Sequence, residues 1–184
     1  MTLPLELLEL INHSAVTSSF VVDERGSHQG PKGNSEGLGN QKDLSLLRAL
    51  RAKSEVVLTS GLTARSDGYR MPRTADLAVF TADGVDQLGL SPKPSQNLHL
   101  LSPPTVESYL DAFWKLGDLG YKNVHVEFGP RGMAEVLEHL DLIVVSSKSP
   151  KGPDAFMGLH QLTKLESFMA EGLFIATAVG RGKA

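Results

Sequence analysis

The sequence predicts an α/β fold built on a mostly parallel sheet, and three observations support this. Short runs rich in β-branched residues alternate along the chain with amphipathic segments of helical spacing. Some of these runs, such as 140–145, are apolar almost throughout, which is typical of strands buried on both faces. The chain has 184 residues, 41% of them hydrophobic and 21% charged, which is enough for a large core. We therefore predict a single domain over residues 1–184.

In the first half of the chain, leucines at helical spacing in 5–11 predict a short opening helix, and 16–22 predict a β-branched strand. Residues 25–40 are too rich in glycine for a helix or strand and predict a long loop, which in a compact domain is usually functional or disordered. Asn40 is placed to cap a helix that continues to Arg51. The next predicted elements are a strand at 55–59, a short helix opening at 60–63, a strand at 75–80 and a loop at 81–97.

In the second half, a strand is predicted at 98–101 and an amphipathic helix from Thr105, ended by Gly117 and Gly120. The remaining predicted elements are a strand at 123–128, a helix at 130–139 and strands at 140–147 and 173–179. No element is predicted between 148 and 172.

Composition excludes several functional classes. The chain has no cysteine, which excludes disulfides, a cysteine nucleophile, a thiolate zinc site and an iron–sulfur cluster, and is compatible with the cytoplasm. Its 18 Lys+Arg against 21 Asp+Glu give a net charge of -3, so we expect neither nucleic acid nor a membrane surface as partner. The first ten residues lack the basic region of a secretion signal, and the apolar runs are too short to cross a bilayer. We therefore expect a cytoplasmic protein.

Two strand ends carry turns suited to a phosphate, because free backbone N–H groups at the start of a helix attract anions. An ordinary strand-to-helix turn is the alternative at both places, since every α/β protein has several. The sequence contains neither the dinucleotide fingerprint GxGxxG nor the GxxxxGK[ST] loop. The candidate residues are Ser60, Gly61 and Thr63 in the first turn and Gly129, Pro130, Arg131 and Gly132 in the second.

Two further patterns have a structural alternative. His125 and Glu127 occupy one face of a strand, but no third metal ligand is identifiable, so we predict no metal site and favour a core histidine. Arg65, Arg70 and Arg73 follow the first turn and form a basic group that could hold a cofactor or substrate phosphate; solvated surface side chains are the alternative.

Three segments of the sequence resemble a known family. Residues 50–67 (LRAKSEVVLTSGLTARSD) are similar to its pattern of a helix, a strand and a Gly/Ser turn followed by Thr-x-x-x-Asp. Residues 126–130 (VEFGP) and 22–26 (VDERG) are similar to its Val-Glu-Gly/Ala-Gly-Pro and Ser-x-Asp-Gly-Arg segments, in the same order and spacing. The family is the reductase domain of riboflavin biosynthesis, the carboxyl-terminal half of the bifunctional pyrimidine deaminase/reductase. The zinc site of the deaminase half needs cysteines that this chain lacks.

The resemblance implies a three-layer, dihydrofolate reductase-like fold, with a mixed, mainly parallel sheet flanked by helices. It also implies a homodimer that binds NADPH and reduces a phosphorylated pyrimidine such as 5-amino-6-(5-phosphoribosylamino)uracil.

By matching positions, the resemblance implies a role for several residues. Thr63 and Asp67 would contact the cofactor, and the turn at 129–132 would receive its pyrophosphate. Ser35, Arg51 and Glu127 fall where the family meets substrate, and the glycine-rich loop would cover the site. Asp23 is the best polar candidate for a catalytic role near the nicotinamide, with a turn aspartate as the alternative.

The chain departs from the family pattern at four positions. Thr17 replaces a lysine of the first strand, Glu24 replaces a glycine, Gly37 replaces a large aromatic residue, and Phe128 replaces a small one. Loss of a cation can remove a charge-assisted contact to a phosphorylated substrate, worth about 1.5 to 3 kcal/mol. Two functions therefore stay open: an NADPH-dependent reductase, or an NADP(H)-binding protein on the same scaffold without turnover.

Overall fold

The computed structural model describes residues 3–30, 33, 35–91 and 97–180. Its six α-helices are α1 (Leu5–His13), α2 (Gln41–Lys53), α3 (Gly61–Ser66), α4 (Tyr109–Asp118), α5 (Pro130–Val136) and α6 (Lys151–His160). Its eight strands are β1 (Val16–Val22), β2 (Val56–Ser60), β3 (Asp76–Phe80), β4 (Leu98–Leu101), β5 (Val124–Glu127), β6 (Leu142–Ser147), β7 (Thr163–Ala170) and β8 (Leu173–Val179).

The chain forms two compact units, of which the central one spans Arg51–Leu137. Its four strands lie in the order β4-β3-β2-β5, and every neighbouring pair is parallel. All five residues of β2 are buried, as expected of an inner strand covered on both faces. The core of this unit includes Val57, Leu77 and Leu88, which are fully buried.

The other unit combines the two ends of the chain, up to Leu50 and from Glu138 onward. Its strands lie in the order β1-β6-β8-β7, with β1 and β6 parallel and β8 antiparallel to both of its neighbours. Leu7, Leu46, Leu142 and Leu173 belong to its hydrophobic core, so α1 and α2 pack against this sheet. The eight strands confirm the predicted mixed, mainly parallel α/β fold flanked by helices. The single domain over 1–184 stays a prediction.

Helix α4 begins one turn later than predicted and ends where predicted. It begins at Tyr109 instead of Thr105, because Ser108 and Asp111 form a reciprocal capping box around the first turn. Gly117 lies inside the helix, and the chain turns away at Gly120, which has a φ of 91° that favours glycine. The end of the helix at Asp118 therefore falls between the two predicted stop residues.

The segment 148–172, for which no element was predicted, contains α6 and β7. Helix α6 was not predicted because its first turn contains a glycine and a proline, which are poor helix formers. Gly152 is needed there for packing, since a Cβ atom at this position would lie 2.5 Å from the Asp23 carbonyl oxygen. Most of β7 is exposed, so it lacks the apolar run that identified the buried strands.

The glycine-rich loop was predicted at 25–40, and its described residues contain no helix or strand. Asn40 caps α2 as expected, since its Oδ1 accepts hydrogen bonds from the N–H groups of Lys42 (2.8 Å) and Asp43 (3.2 Å). The predicted loop at 81–97 contains a short 3-10 helix at Val85–Gln87, and its residues 92–96 lie outside the described part. Among the described residues, no helix is both long and apolar enough to cross a membrane.

Candidate functional site

The central unit brings the two candidate turns together. Strands β2 and β5 are parallel neighbours in which Thr59 aligns with Glu127, and the Thr59 hydroxyl donates to the Glu127 carbonyl oxygen (2.9 Å). The chain therefore leaves both strands at the same, carboxyl edge of the sheet, where ligands bind in α/β folds. A Cβ atom at Gly129 would lie 3.6 Å from the Thr63 hydroxyl oxygen, so the turns are in direct proximity.

The β2–α3 turn is held by hydroxyl groups. Ser60 caps α3: its Oγ accepts from the Thr63 N–H (3.1 Å) and lies 2.9 Å from the Thr63 hydroxyl oxygen. Gly61 is required by packing, because a Cβ there would lie 2.5 Å from the Thr81 hydroxyl oxygen. Ser60 and Gly61 thus shape the turn, and Thr63 is the side chain that reaches toward β5.

The β5–α5 turn contains two glycines with different roles. Gly129 has an ordinary φ of -68°, and only the Thr63 hydroxyl lies near its missing side chain, so the turn is open there. A Cβ at Gly132 would collide with Tyr109 (2.6 Å) and Phe128 (2.9 Å), so this glycine serves helix packing. Pro130 occupies the first helical position, and Arg131 is exposed beside it. The open surface of this turn is therefore at Gly129 and Arg131.

Beside these turns, Arg51 and Glu127 form a bidentate ion pair. Arg51 donates from Nε to Oε1 and from Nη2 to Oε2, both at 2.6 Å, and 18% of the Arg51 side chain and 12% of the Glu127 side chain are exposed. Tyr69 donates its hydroxyl to Glu127 Oε2 (2.6 Å), and the Arg51 guanidinium lies over the Tyr69 ring at 4.6 Å. The geometry fixes the orientation of the carboxylate.

Electrostatics within this group follow from burial and pairing. Burial alone would raise the pKa of Glu127, but the Arg51 charge and its hydrogen bonds outweigh burial and lower it. Burial and the Glu127 charge raise the pKa of Tyr69 well above its ordinary value, so Tyr69 is a permanent donor near neutral pH. The pair is therefore ionised and internally neutralised.

His125, for which a core residue was favoured over a metal ligand, is fully buried. Its Nε2 lies 3.5 Å from Glu127 Oε1, and desolvation lowers its pKa to about 4 despite the opposing effect of that carboxylate. His125 is thus neutral at pH 7. Among the described residues, no group of three or more His, Cys, Asp or Glu side chains could hold a metal ion.

The buried state of His125 predicts a pH dependence of stability. In the unfolded chain His125 takes up a proton near pH 6.5, whereas in the folded protein it does so only near pH 4. The unfolded state therefore binds more protons between these values, and we expect this group to remove about 3 kcal/mol of unfolding free energy as the pH falls from 6.5 to 4. Urea unfolding of His125→Gln over this range should show a shallower loss than the native protein. His13→Gln, at an exposed position of α1, is the control; a slope in His125→Gln equal to the native one would contradict the prediction.

Of the three arginines in the predicted basic group, one is paired with a carboxylate and two are exposed. Arg65 donates to the Asp83 carboxylate, whereas Arg70 and Arg73 are exposed on the following segment. Asp67 ends α3 and accepts from the Ser66 hydroxyl (3.2 Å). Desolvation raises the pKa of Asp67, and the negative charge of Glu127 raises it further, so the two carboxyl groups interact electrostatically.

Asp23 and Ser35 belong to the other unit. Asp23 Oδ1 accepts from the N–H groups of Arg25 (2.8 Å) and Ser27 (2.9 Å), the geometry of a turn aspartate. Ser35 is exposed in the glycine-rich loop, where its carbonyl oxygen accepts from Leu38 N–H (3.2 Å). The catalytic role of Asp23 and the substrate role of Ser35 stay predictions.

The structure shows the local surroundings of all four departures from the family pattern. Gly37 has a φ of 83°, a conformation that a large aromatic side chain would adopt only with strain. Thr17 is buried on β1. Phe128 is buried against Tyr109, with ring centres 4.9 Å apart, so it has become part of the packing around α5. Glu24 is exposed in the turn after β1.

Sequence reasoning missed two functional candidates, Tyr69 and Asp83. Tyr69 lies between Arg65 and Arg70 of the basic group, and Asp83 lies in a segment predicted as loop. The one local signal for Tyr69 was a large aromatic residue between two polar stretches. Nothing in the sequence around Asp83 indicates its pairing with Arg65.

Comparison with solved structures supports the fold. A pyrimidine reductase-like protein from Corynebacterium diphtheriae matches with a TM-score of 0.64 and 17% identity over 97% of this chain and 95% of that chain. The deaminase/5-amino-6-(5-phosphoribosylamino)uracil reductase of Thermotoga maritima matches with a TM-score of 0.62 and 16% identity over 90% of this chain and 56% of its own. The dihydrofolate reductase of Enterococcus faecalis gives a TM-score of 0.54 and 13% identity over 90% and 96%.

No family model matches the sequence, and no curated protein matches it significantly. At these identities the structural matches establish the fold. The chain has the fold of dihydrofolate reductase and of these two pyrimidine reductase structures.

Proposed function

We propose that the protein is an NADPH-dependent reductase of a phosphorylated pyrimidine such as 5-amino-6-(5-phosphoribosylamino)uracil. The observation that carries this proposal is the proximity of the β2–α3 and β5–α5 turns, with 3.6 Å between the Thr63 hydroxyl and the Cβ position of Gly129. Two turns that each suit an anion, side by side at the carboxyl edge, fit a pyrophosphate better than either does alone.

The residues of these turns fit the cofactor. Gly129 leaves the backbone of its turn approachable, Thr63 offers a hydroxyl, and Arg131 offers an exposed cation next to the open glycine. Of the structural neighbours, the Enterococcus faecalis enzyme was solved as a complex with NADP(H). When bound, the cofactor supplies the hydride, and the protein has to hold it against the acceptor and exclude water.

On the substrate side, the ion pair supplies hydrogen-bonding groups. Arg51 donates to Glu127 from Nε and Nη2, and its Nη1 group takes no part in this ion pair. The carboxylate is held ionised and oriented by Arg51 and Tyr69. Its Oε2 accepts from both residues and its Oε1 accepts from Arg51, which leaves one acceptor position, on Oε1, for an N–H group of a heterocycle. This supports the substrate roles of Arg51 and Glu127.

Turnover distinguishes this function from its alternative, an NADP(H)-binding protein without reductase activity. The test compares NADPH binding with NADPH oxidation in the presence of 5-amino-6-(5-phosphoribosylamino)uracil. Binding with substrate-dependent oxidation supports the reductase. Binding without oxidation favours the alternative, which the departures at Thr17, Glu24 and Gly37 also favour.

We expect NADPH to bind more tightly than NADH. A 2′-phosphate near Arg65, Arg70 and Arg73 would gain charge-assisted hydrogen bonds that NADH cannot make. Thermal unfolding with each cofactor at matched concentration checks this, because a ligand that binds the folded state raises the melting temperature. Equal stabilisation by the two cofactors would contradict it.

We further propose a homodimer that pairs through the carboxyl-terminal part of the chain. Strands β6 and β8 of this part are paired with each other inside the subunit, so the candidate surface is β7, the last strand in the order of its unit. Leu165 and Met169 of β7 are 44% and 69% exposed. Light scattering at micromolar concentration should give twice the monomer mass, and Met169→Lys should lower it. Leu159→Lys, at an exposed position of α6, is the control; a monomeric native protein would refute the proposal.

A further inference from the structure

Strand β2, helix α3 and strand β3 follow one another in the chain, and the two strands are parallel neighbours, with Ser60 aligned to Phe80. Thr81 follows β3, and its hydroxyl oxygen lies 2.5 Å from where a Cβ of Gly61 would be. The loop after β3 therefore lies directly beside the β2–α3 turn.

Asp83 is held in this loop by two contacts to Thr81. Its N–H donates to the Thr81 hydroxyl oxygen (2.9 Å), and its Oδ2 lies 3.3 Å from the same oxygen. Arg65, on α3, donates from Nη1 to Asp83 Oδ2. The side chains are 41% (Arg65) and 36% (Asp83) exposed, so a ligand from solvent can reach both charges.

In the Rossmann fold, a strand, a turn that receives the pyrophosphate, a helix and the next strand follow one another. An acidic residue about 20 residues after the turn accepts a hydrogen bond from the ribose 2′-hydroxyl of NADH, whereas an arginine nearby accommodates the 2′-phosphate of NADPH. This chain lacks the Rossmann glycine fingerprint, but its β2, α3 and β3 follow in the same order and the two strands are parallel. Asp83 lies in the loop after β3, and the Arg65 guanidinium reaches it from α3, so both kinds of group are present beside the first turn and are paired with each other.

We propose that Asp83 is the residue that limits discrimination between NADPH and NADH. Its carboxylate is paired with the Arg65 guanidinium, which is then less available to a phosphate. The same carboxylate repels the 2′-phosphate, which carries about -1.5 to -2 charges near neutral pH. The same carboxylate accepts a hydrogen bond from the 2′-hydroxyl of NADH. The inference rests on the proposed cofactor site at the two turns, and it assigns cofactor choice to one ion pair within that site.

The test measures dissociation constants of NADPH and NADH at low salt, by fluorescence titration of the native protein and three variants. Asp83→Asn should shift the ratio of the two constants about tenfold toward NADPH, because it removes the repulsion and frees Arg65. Arg65→Gln should shift the ratio toward NADH. Asp118→Asn, which breaks an exposed ion pair with Lys115 on α4, removes the same charge elsewhere and should leave the ratio within about twofold.

The outcomes separate this inference from the proposed function. If both cofactors bind Asp83→Asn and the ratio of their dissociation constants is unchanged, the inference is overturned and the proposed function is not. Failure of both cofactors to bind any form of the protein overturns the proposed function and the inference with it. If thermal unfolding shows that Asp83→Asn is not folded, Asp83→Ser removes the same charge, and Arg65→Gln tests the other partner of the ion pair.

Discussion

Gly129→Val is expected to abolish NADPH binding and to leave the protein folded. The backbone of Gly129 has a φ of -68°, which valine adopts without strain, and only the Thr63 hydroxyl, at 3.6 Å, lies near the Cβ position. The branched side chain therefore has room in the protein, but it would occupy the space through which a pyrophosphate approaches the turn. We expect affinity to fall by at least about 100-fold, which corresponds to about 2.7 kcal/mol.

Fluorescence titration with NADPH measures this loss, and thermal unfolding without ligand verifies the fold. Gly158→Val is the matched control, because Gly158 lies on α6 with open space around its Cβ position. Gly129→Ala should be intermediate, since one methyl group blocks less of the approach. Unchanged NADPH affinity in Gly129→Val would show that this turn is an ordinary structural one.

Arg51→Met is expected to destabilise the protein by about 3 kcal/mol at pH 8, and by less at pH 5. Removal of one partner leaves a mostly buried carboxylate without its counter-charge, which costs about 3 to 5 kcal/mol in a fully buried pair. The 12% exposure of the Glu127 side chain favours the lower end of that range.

The pH dependence follows from the sign of the pKa shift. In the native protein Arg51 lowers the pKa of Glu127, so the pair stabilises the fold above the unfolded pKa, and this stabilisation is lost as the pH falls through the folded one. Without Arg51, burial prevails and raises the pKa of Glu127. The loss of unfolding free energy in Arg51→Met is then largest at high pH, and it becomes smaller as Glu127 is protonated at lower pH.

Urea unfolding of the native protein and of Arg51→Met at pH 5 and pH 8 measures the difference directly. Arg48→Met changes an exposed arginine of the same helix and should stay within about 0.5 kcal/mol of the native protein at both values. The same loss at pH 5 and pH 8 would contradict the assignment of the penalty to an ionised Glu127.

Much of the architecture could be predicted from local pattern. The apolar runs that became β2 and β6 indicated buried parallel strands, and Asn40 indicated the start of α2, because burial on two faces and helix capping are each encoded within a few residues. The exposed strand β7 and the packing glycine of α6 carry no such local signal, since their conformation depends on neighbours distant in sequence.

The candidate site divides in the same way. Local pattern is enough to predict that two glycine-containing turns follow strands, and the motifs indicate Thr63, Gly129, Arg51 and Glu127. The folded chain is needed to see that β2 and β5 are neighbours, that Gly129 is the open glycine whereas Gly61 and Gly132 serve packing, and that Arg65 is paired with Asp83. This difference arises because residue type and spacing encode backbone conformation over a few residues. The distance between two charges, or the space left beside a glycine, is set by chain segments that meet only when the sheet has formed.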